Sequence, residues 1–359
     1  MTSEDTIVCL CTRQHFETTH IQKLIAICQG QTIEWDEVFD TADRHGVAPL
    51  VYTNLMNHQN GSFAVPQAVM NKFKKAYIHN VFVKKGTGPI LEEALALFAR
   101  KGLDVMLVKG AALNVLVYEK PWYTRSYDID LVIKARRDEI DETDHFELVE
   151  TLEKFNHQRN EFKEHIEYDY YEHHDVTMNN VLMINSERLW QEAHKIQVNG
   201  YDVFVMTPED MLLAAAINSC RKRFFRLKSL CDIAEIIHHY PDLNWDLLAD
   251  KAIEYECNTI LYTALIVTQT TLGCPLPENV LSALKVNPMR AVIINHLVKN
   301  LCRNFTLTEL FERSESTVLG REFSWPLVLT YTAYRANHIV PKMTEIYRAW
   351  RNPPPPVPG

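Results

Sequence analysis

The chain has 359 residues and a formal net charge of −9, with 47% hydrophobic and 23% charged residues. That length suits two domains of roughly 150 residues or one large one, and the composition is that of a globular chain. The acidic balance argues against a sequence-blind nucleic-acid binder with a basic face, although a local basic cleft stays compatible with it.

The first residues, MTSEDTIVCLCTRQHF, carry acids where a secretory leader needs positive charge. No apolar run approaches the roughly 18 residues of a membrane span, so a cytoplasmic chain with no membrane partner is expected. The eight cysteines (Cys9, Cys11, Cys28, Cys220, Cys231, Cys257, Cys274 and Cys302) form no CxxC pair. They read as reduced thiols rather than as a zinc cluster.

In chain order, the first hundred residues read as helical. Ile21 to Cys28 is apolar-rich, and Trp35, Val38 and Phe39, then Val47, Leu50, Val51 and Leu55, recur at helix spacing. Residues 66–100 read as two helices split at Gly86-Thr87-Gly88-Pro89. Leu103 to Val108 has the length of a strand. Lys109-Gly110 predicts a tight turn, and a helix starts at Ala111. Asp128 to Lys134 is a second short β-rich run, followed by a helix with Ile140, Leu148, Leu152 and Phe155. Residues 164–180 read as one or two strands. Asn199-Gly200 between β-rich flanks predicts a hairpin. Thr207-Pro208-Glu209-Asp210 predicts a helix start, with a second helix over 227–237 and a helical bundle to about 351. The tail PPPPVPG suits neither helix nor sheet. Four regions are expected: 1–100 helical, 101–206 an α/β core, 207–351 helical, and 352–359 a proline-rich tail.

Chemistry concentrates in the second region. Strand alternation places Asp128 and Asp130 on one face, with Ile129, Leu131 and Ile133 on the other. Two adjacent carboxylates repel unless a cation lies between them, and magnesium takes one or two carboxylates together with substrate phosphates. Upstream, Lys109 offers a point charge, and the N–H groups of the helix start at Gly110 suit an anion. Arg125 can fork onto phosphate oxygens. A dense basic run, Arg221-Lys222-Arg223-Phe224-Phe225-Arg226-Leu227-Lys228, would place Lys222 and Arg226 on one helix face. It reads equally as a phosphate contact, with Arg226 the binding residue, and as a solvated helix end. His165, His173 and His174, among Tyr168, Tyr170 and Tyr171, read as exposed strand residues.

The run VKGAAL…VY…R…DIDLV resembles the uncharacterised nucleotidyltransferase family, a branch of the DNA polymerase beta superfamily in which Lys-Gly replaces the usual Gly-Ser turn. HGVAPLVYTNL at 45–55 and TPEDMLLAAAINSCRKRFFRLKSLCDIAEII at 207–237 are similar to flanking helical signals of that family. The resemblance covers roughly residues 30–240. It implies an α+β fold, a small mixed sheet embedded in a mostly helical protein. It also implies transfer of a nucleotidyl group from an NTP, dependent on Mg²⁺ or Mn²⁺, to a hydroxyl acceptor on a small molecule, RNA end or protein. Asp128 and Asp130 would hold the metal, and Lys109, Gly110, Arg125 and Arg226 the triphosphate. A third carboxylate is implied on a later strand, in an apolar-acid-apolar-His pattern. The segment Val176-Thr177-Met178-Asn179 places Thr177 at the acid, so Asp175, two residues earlier, is the expected third acid, and Glu172 falls on the other face. Thr177 also favours an alternative reading, a nucleotide-binding pseudoenzyme, and the basic run favours a toxin-like tRNA nucleotidyltransferase.

Overall fold

A five-stranded mixed sheet organises the molecule, with strand order β3-β2-β1-β5-β4. A computed structural model describes residues 1–59, 63–125, 128–135, 140, 149–150, 166–170 and 186–315. The strands are β1 (Val105–Leu107), β2 (Ile129–Ile133), β3 (Ile166–Tyr170), β4 (His194–Val198) and β5 (Tyr201–Val205). β1 runs antiparallel to β2 and parallel to β5, β2 is parallel to β3, and β4–β5 is a hairpin. The hairpin turns at Asn199 and Gly200, with φ of 51° and 83°. Those are the two left-handed positions that a two-residue turn of the Asn-Gly type requires.

Helices surround the sheet. Before it come α1 (Ser3–Cys11), α2 (Thr18–Gly30), α3 (Trp35–Arg44), α4 (Ala48–His58) and α5 (Gln67–Arg100). α6 (Lys109–Leu116) follows β1, and α7 (Ser186–Glu192) precedes β4. After the sheet come α8 (Pro208–Arg221), α9 (Leu227–His239), α10 (Trp245–Glu254), α11 (Asn258–Leu272), α12 (Val280–Ala283), α13 (Pro288–Asn304) and α14 (Leu307–Glu315). The protein is thus α+β, a small mixed sheet within a mostly helical body. α8 begins as its sequence predicts. The Thr207 hydroxyl accepts the Asp210 N–H at 3.2 Å, and Pro208 opens the helix without needing a donor.

Strand alternation sorts the sheet's side chains into two cores. Val105, Leu107, Ile129, Leu131, Ile133, Val203 and Val205 pack with Ala94, Leu95, Leu97 and Phe98 of α5 and with Ala111 and Ala112 of α6. Met106, Val108 and Val132 face the larger helical core, which also draws on Ile7, Leu50, Leu212, Leu230 and Leu265. Asp130 therefore projects from the face that looks toward the helical body.

Two sequence expectations are corrected. Residues 67–100 form one continuous helix of 34 residues with Pro89 inside it, not two helices split at the Gly-Thr-Gly-Pro turn. Both halves are anchored, Val69, Met70 and Phe73 in the larger core and Ile90, Ala94, Leu95 and Phe98 under the sheet. That burial outweighs the roughly 3 kcal/mol that an internal proline costs. The basic run is likewise not one helix, so Lys222 and Arg226 do not share a helix face. α8 ends at Arg221, and Arg223 and Phe224 take left-handed conformations, with φ of 53° and 63°. Phe224 donates its N–H to Ser219 O at 2.7 Å, closing the helix end, and Phe224 and Phe225 are buried. Core burial of the two phenylalanines decides the turn. Of the one or two strands expected over 164–180, β3 accounts for Ile166–Tyr170, and the segment 176–179 lies outside the described residues, as do the histidines at 165, 173 and 174 and nearly all of the predicted helix containing Leu148, Leu152 and Phe155.

Candidate active site

The site begins where β1 meets α6. Val108 continues the ladder by donating its N–H to Asp130 O at 3.2 Å, which brings the Lys-Gly turn beside the acid pair. Lys109 has φ of 50°, a left-handed conformation that costs a side-chain-bearing residue about 1–2 kcal/mol. The reward is position: Lys109 Nζ lies 2.5 Å from Asp130 Oδ1. Asp130 is 7% exposed and sits among apolar strand residues. A carboxylate so enclosed needs a cation beside it, and here Lys109 supplies the charge.

Asp128 immediately precedes β2 and is half-buried. It stands two residues from Asp130, the spacing that shares a face on an extended chain. On the other side of β2 the parallel register pairs Glu167 with Asp130 and Asp169 with Val132. Glu167 is thus the nearest acid to Asp130 along the ladder. The sequence reading missed it, although Ile166-Glu167-Tyr168-Asp169 keeps the apolar-acid-apolar pattern sought further along, with Asp in place of His. Asp175, chosen instead, lies outside the described residues, as do Glu172, Thr177 and Asn179.

Arg125 is brought to the same region but is engaged. Its guanidinium pairs with the Asp43 carboxylate at the end of α3 and donates to Asp43 O at 3.3 Å, while its N–H donates to Gly46 O at 2.9 Å. The Asn80 amide of α5 braces the same loop through Trp122 O at 2.6 Å and Thr124 O at 3.1 Å. The segment leading into Asp128 is therefore held from two helices. Gly46 has φ of 74°, and a Cβ there would stand 3.5 Å from Arg125 Cβ and 3.8 Å from Lys228 Cβ. His45, fully buried, accepts the Leu227 N–H at Nδ1 (3.1 Å) and donates from Nε2 to Leu307 O (3.1 Å). This gives the His-Gly-Val-Ala-Pro-Leu segment a physical role, since it docks the start of α9 against the loop before the acid pair. Arg226 caps α9 without a side-chain cap bond, and its buried Nε has no hydrogen-bond partner among the described residues.

Between α6, α8 and α9 lies a shallow cleft that opens to solvent. Lys109 and Gly110 stand at one side, and Lys228 and Asp232 of α9 also line it. Asp232 is 4% exposed and fully used, accepting from Tyr118 Oη at 2.7 Å and from Lys228 Nζ at 2.6 Å. Burial, reinforced by the neighbouring Asp232 charge, pushes the Tyr118 phenol well above its ordinary range, so it stays a donor. Asp232 follows the basic run on α9. Its spacing from Lys228 (i, i+4) was the available signal for a pair on one helix face.

A small mixed sheet with Asp-x-Asp leading into its second strand, beside a Lys-Gly helix start and inside a helical body, defines the class as nucleotidyltransferase-like. The chain belongs to the family described as uncharacterised nucleotidyltransferase, whose sequence profile matches residues 31–273. No curated protein and no solved structure matches it. Among the described residues, no helix is long and apolar enough to cross a membrane.

Proposed function

We propose that this protein transfers a nucleotidyl group from an NTP to a hydroxyl acceptor, with release of pyrophosphate, and that Asp128, Asp130 and Glu167 form the carboxylate set. The observation that carries the reading is the buried Asp130 held 2.5 Å from the Lys109 ammonium at the start of a helix. The donor set suits magnesium, since it consists of hard carboxylate oxygens already matched to a positive charge. A divalent ion bound there would supply Lewis-acid neutralisation of the phosphates.

The chain's own groups account for the rest. Lys109, released from Asp130, turns its ammonium to the triphosphate. The first N–H groups of α6 have no partner within the helix and offer an anion site beside it. The acceptor oxygen attacks the α-phosphorus while the bond to the β-phosphate oxygen breaks, and pyrophosphate leaves in line. The acceptor's proton passes to a carboxylate of the set, for which Glu167 is the choice that the register supports. Arg125 acts here through position rather than contact, because its pairing with Asp43 fixes the loop before Asp128.

The test is incubation of the protein with each α-labelled NTP and Mg²⁺, with label followed on small molecules, co-purifying RNA and the protein itself. Transfer that Asp130→Asn lowers at least a hundredfold, with the fold intact, is the expected outcome. Full transfer by that variant would refute the assignment, and binding of NTP without any transfer would favour the pseudoenzyme.

A further inference from the structure

The cleft beside Lys109 is built on one stripe of α8. Met211, Ala214, Ala215 and Asn218 fall at i, i+3, i+4 and i+7, and all line it. The two alanines leave a slot where larger side chains would meet α6. Met206, Leu107 and Leu113 make the facing walls apolar. An apolar slot with a few convergent polar groups is the usual form of a small-ligand site.

The polar groups differ in how far they are occupied. Both oxygens of Asp232 are taken by Tyr118 and Lys228, so that carboxylate is a fixture of the wall. Asn218 is half-buried, and its side-chain amide has no hydrogen-bond partner among the described residues, while its backbone carbonyl closes the end of α8 by accepting the Lys222 N–H. A free carboxamide presents a donor and an acceptor side by side. Among the purines that pattern matches adenine, which offers an amino donor next to a ring acceptor, whereas the corresponding edge of guanine offers two acceptors.

We infer that the cleft receives the nucleoside end of the NTP and that Asn218 is a specificity residue selecting adenine. The inference rests on the proposed nucleotidyl transfer and adds the identity of the donor. The base lies in the alanine slot against Met206 and Met211. Its phosphates then lead out past Gly110 and Lys109 toward Asp130, because Lys109 both lines the cleft and pairs with Asp130.

The experiment measures equilibrium binding of the α,β-methylene analogues of ATP, GTP, CTP and UTP to the full chain with Mg²⁺. The wild type is expected to favour the ATP analogue at least tenfold over the GTP analogue. Asn218→Leu, close in size but without the amide, should weaken the ATP analogue about tenfold and leave the GTP analogue within twofold. Asn218→Asp, an acceptor only, keeps a partner for the adenine amino group but faces two acceptors on guanine, so it should not tighten binding of the GTP analogue. Ala214→Leu, which fills the slot, should weaken all four, with thermal unfolding checking that the variants are folded. If the wild type shows no adenine preference, or Asn218→Leu binds as the wild type does, the inference is overturned while nucleotide binding stands. If no analogue binds, the nucleotidyl-transfer reading falls with it.

Discussion

His45 offers a sharp test of how the site is held. Its imidazole joins α9 to α14 through Leu227 N–H and Leu307 O. Burial, aided by the nearby Arg226 and Arg44 charges and opposed by the bond to Leu307, lowers its pKa from 6.5 to about 4. A base with a depressed folded pKa binds fewer protons folded than unfolded between those two values. Its stabilising contribution is therefore full above pH 6.5 and is lost as pH falls toward 4. At about 1.4 kcal/mol per unit, the loss between pH 7.5 and pH 5.0 is about 2 kcal/mol. Asp5 and Glu235, whose pKa values burial raises, act with the opposite sign. They are common to both proteins when the wild type is compared with His45→Asn, which keeps an acceptor for Leu227 N–H but does not titrate. Urea unfolding at the two pH values should show the wild type losing about 2 kcal/mol more than the variant. Equal losses would refute the buried neutral imidazole.

Two further predictions follow from the same interior. Lys251, 1% exposed, lies 2.7 Å from Asp210 and 2.5 Å from Glu192. Lys251→Met should cost about 3–5 kcal/mol in urea unfolding by stranding the buried Asp210; a loss below 1 kcal/mol would contradict that, and Lys251→Met/Asp210→Asn should recover part of it. Glu167→Gln should reduce nucleotidyl transfer at least a hundredfold while Asp175→Asn stays within a few-fold, as turnover with the same NTP would show. The reverse pattern would move the third carboxylate to Asp175.

Much of this was legible in the residues because the signals are local. The Asn199-Gly200 hairpin, the Thr207 cap and the alternation through Ile129, Leu131 and Ile133 all depend on near neighbours, and the fold reproduces them. The failures come from tertiary packing. Pro89 reads as a breaker until both halves of its helix are seen to be buried, and the run at 221–228 reads as a helix until Phe224 and Phe225 claim the core. At the site, Asp128 and Asp130 announced themselves by spacing, but their surroundings are long-range. Arg125 reads as a free phosphate ligand because Asp43, 82 residues away, is invisible as its partner. Glu167 was passed over because only the β2–β3 register shows it beside Asp130. The slot at Ala214 and Ala215 exists only once α8 packs near α6.

In the proposed reaction Asp130 exchanges its lysine for a metal-bound nucleotide. Titration of Mn²⁺ by electron paramagnetic resonance, with and without α,β-methylene ATP, reads that exchange directly. Wild type should bind Mn²⁺ more tightly when the nucleotide is present, and Asp130→Asn should lose at least tenfold of that affinity while unfolding within about 2 kcal/mol of wild type. Equal Mn²⁺ binding by the two proteins would contradict the claim.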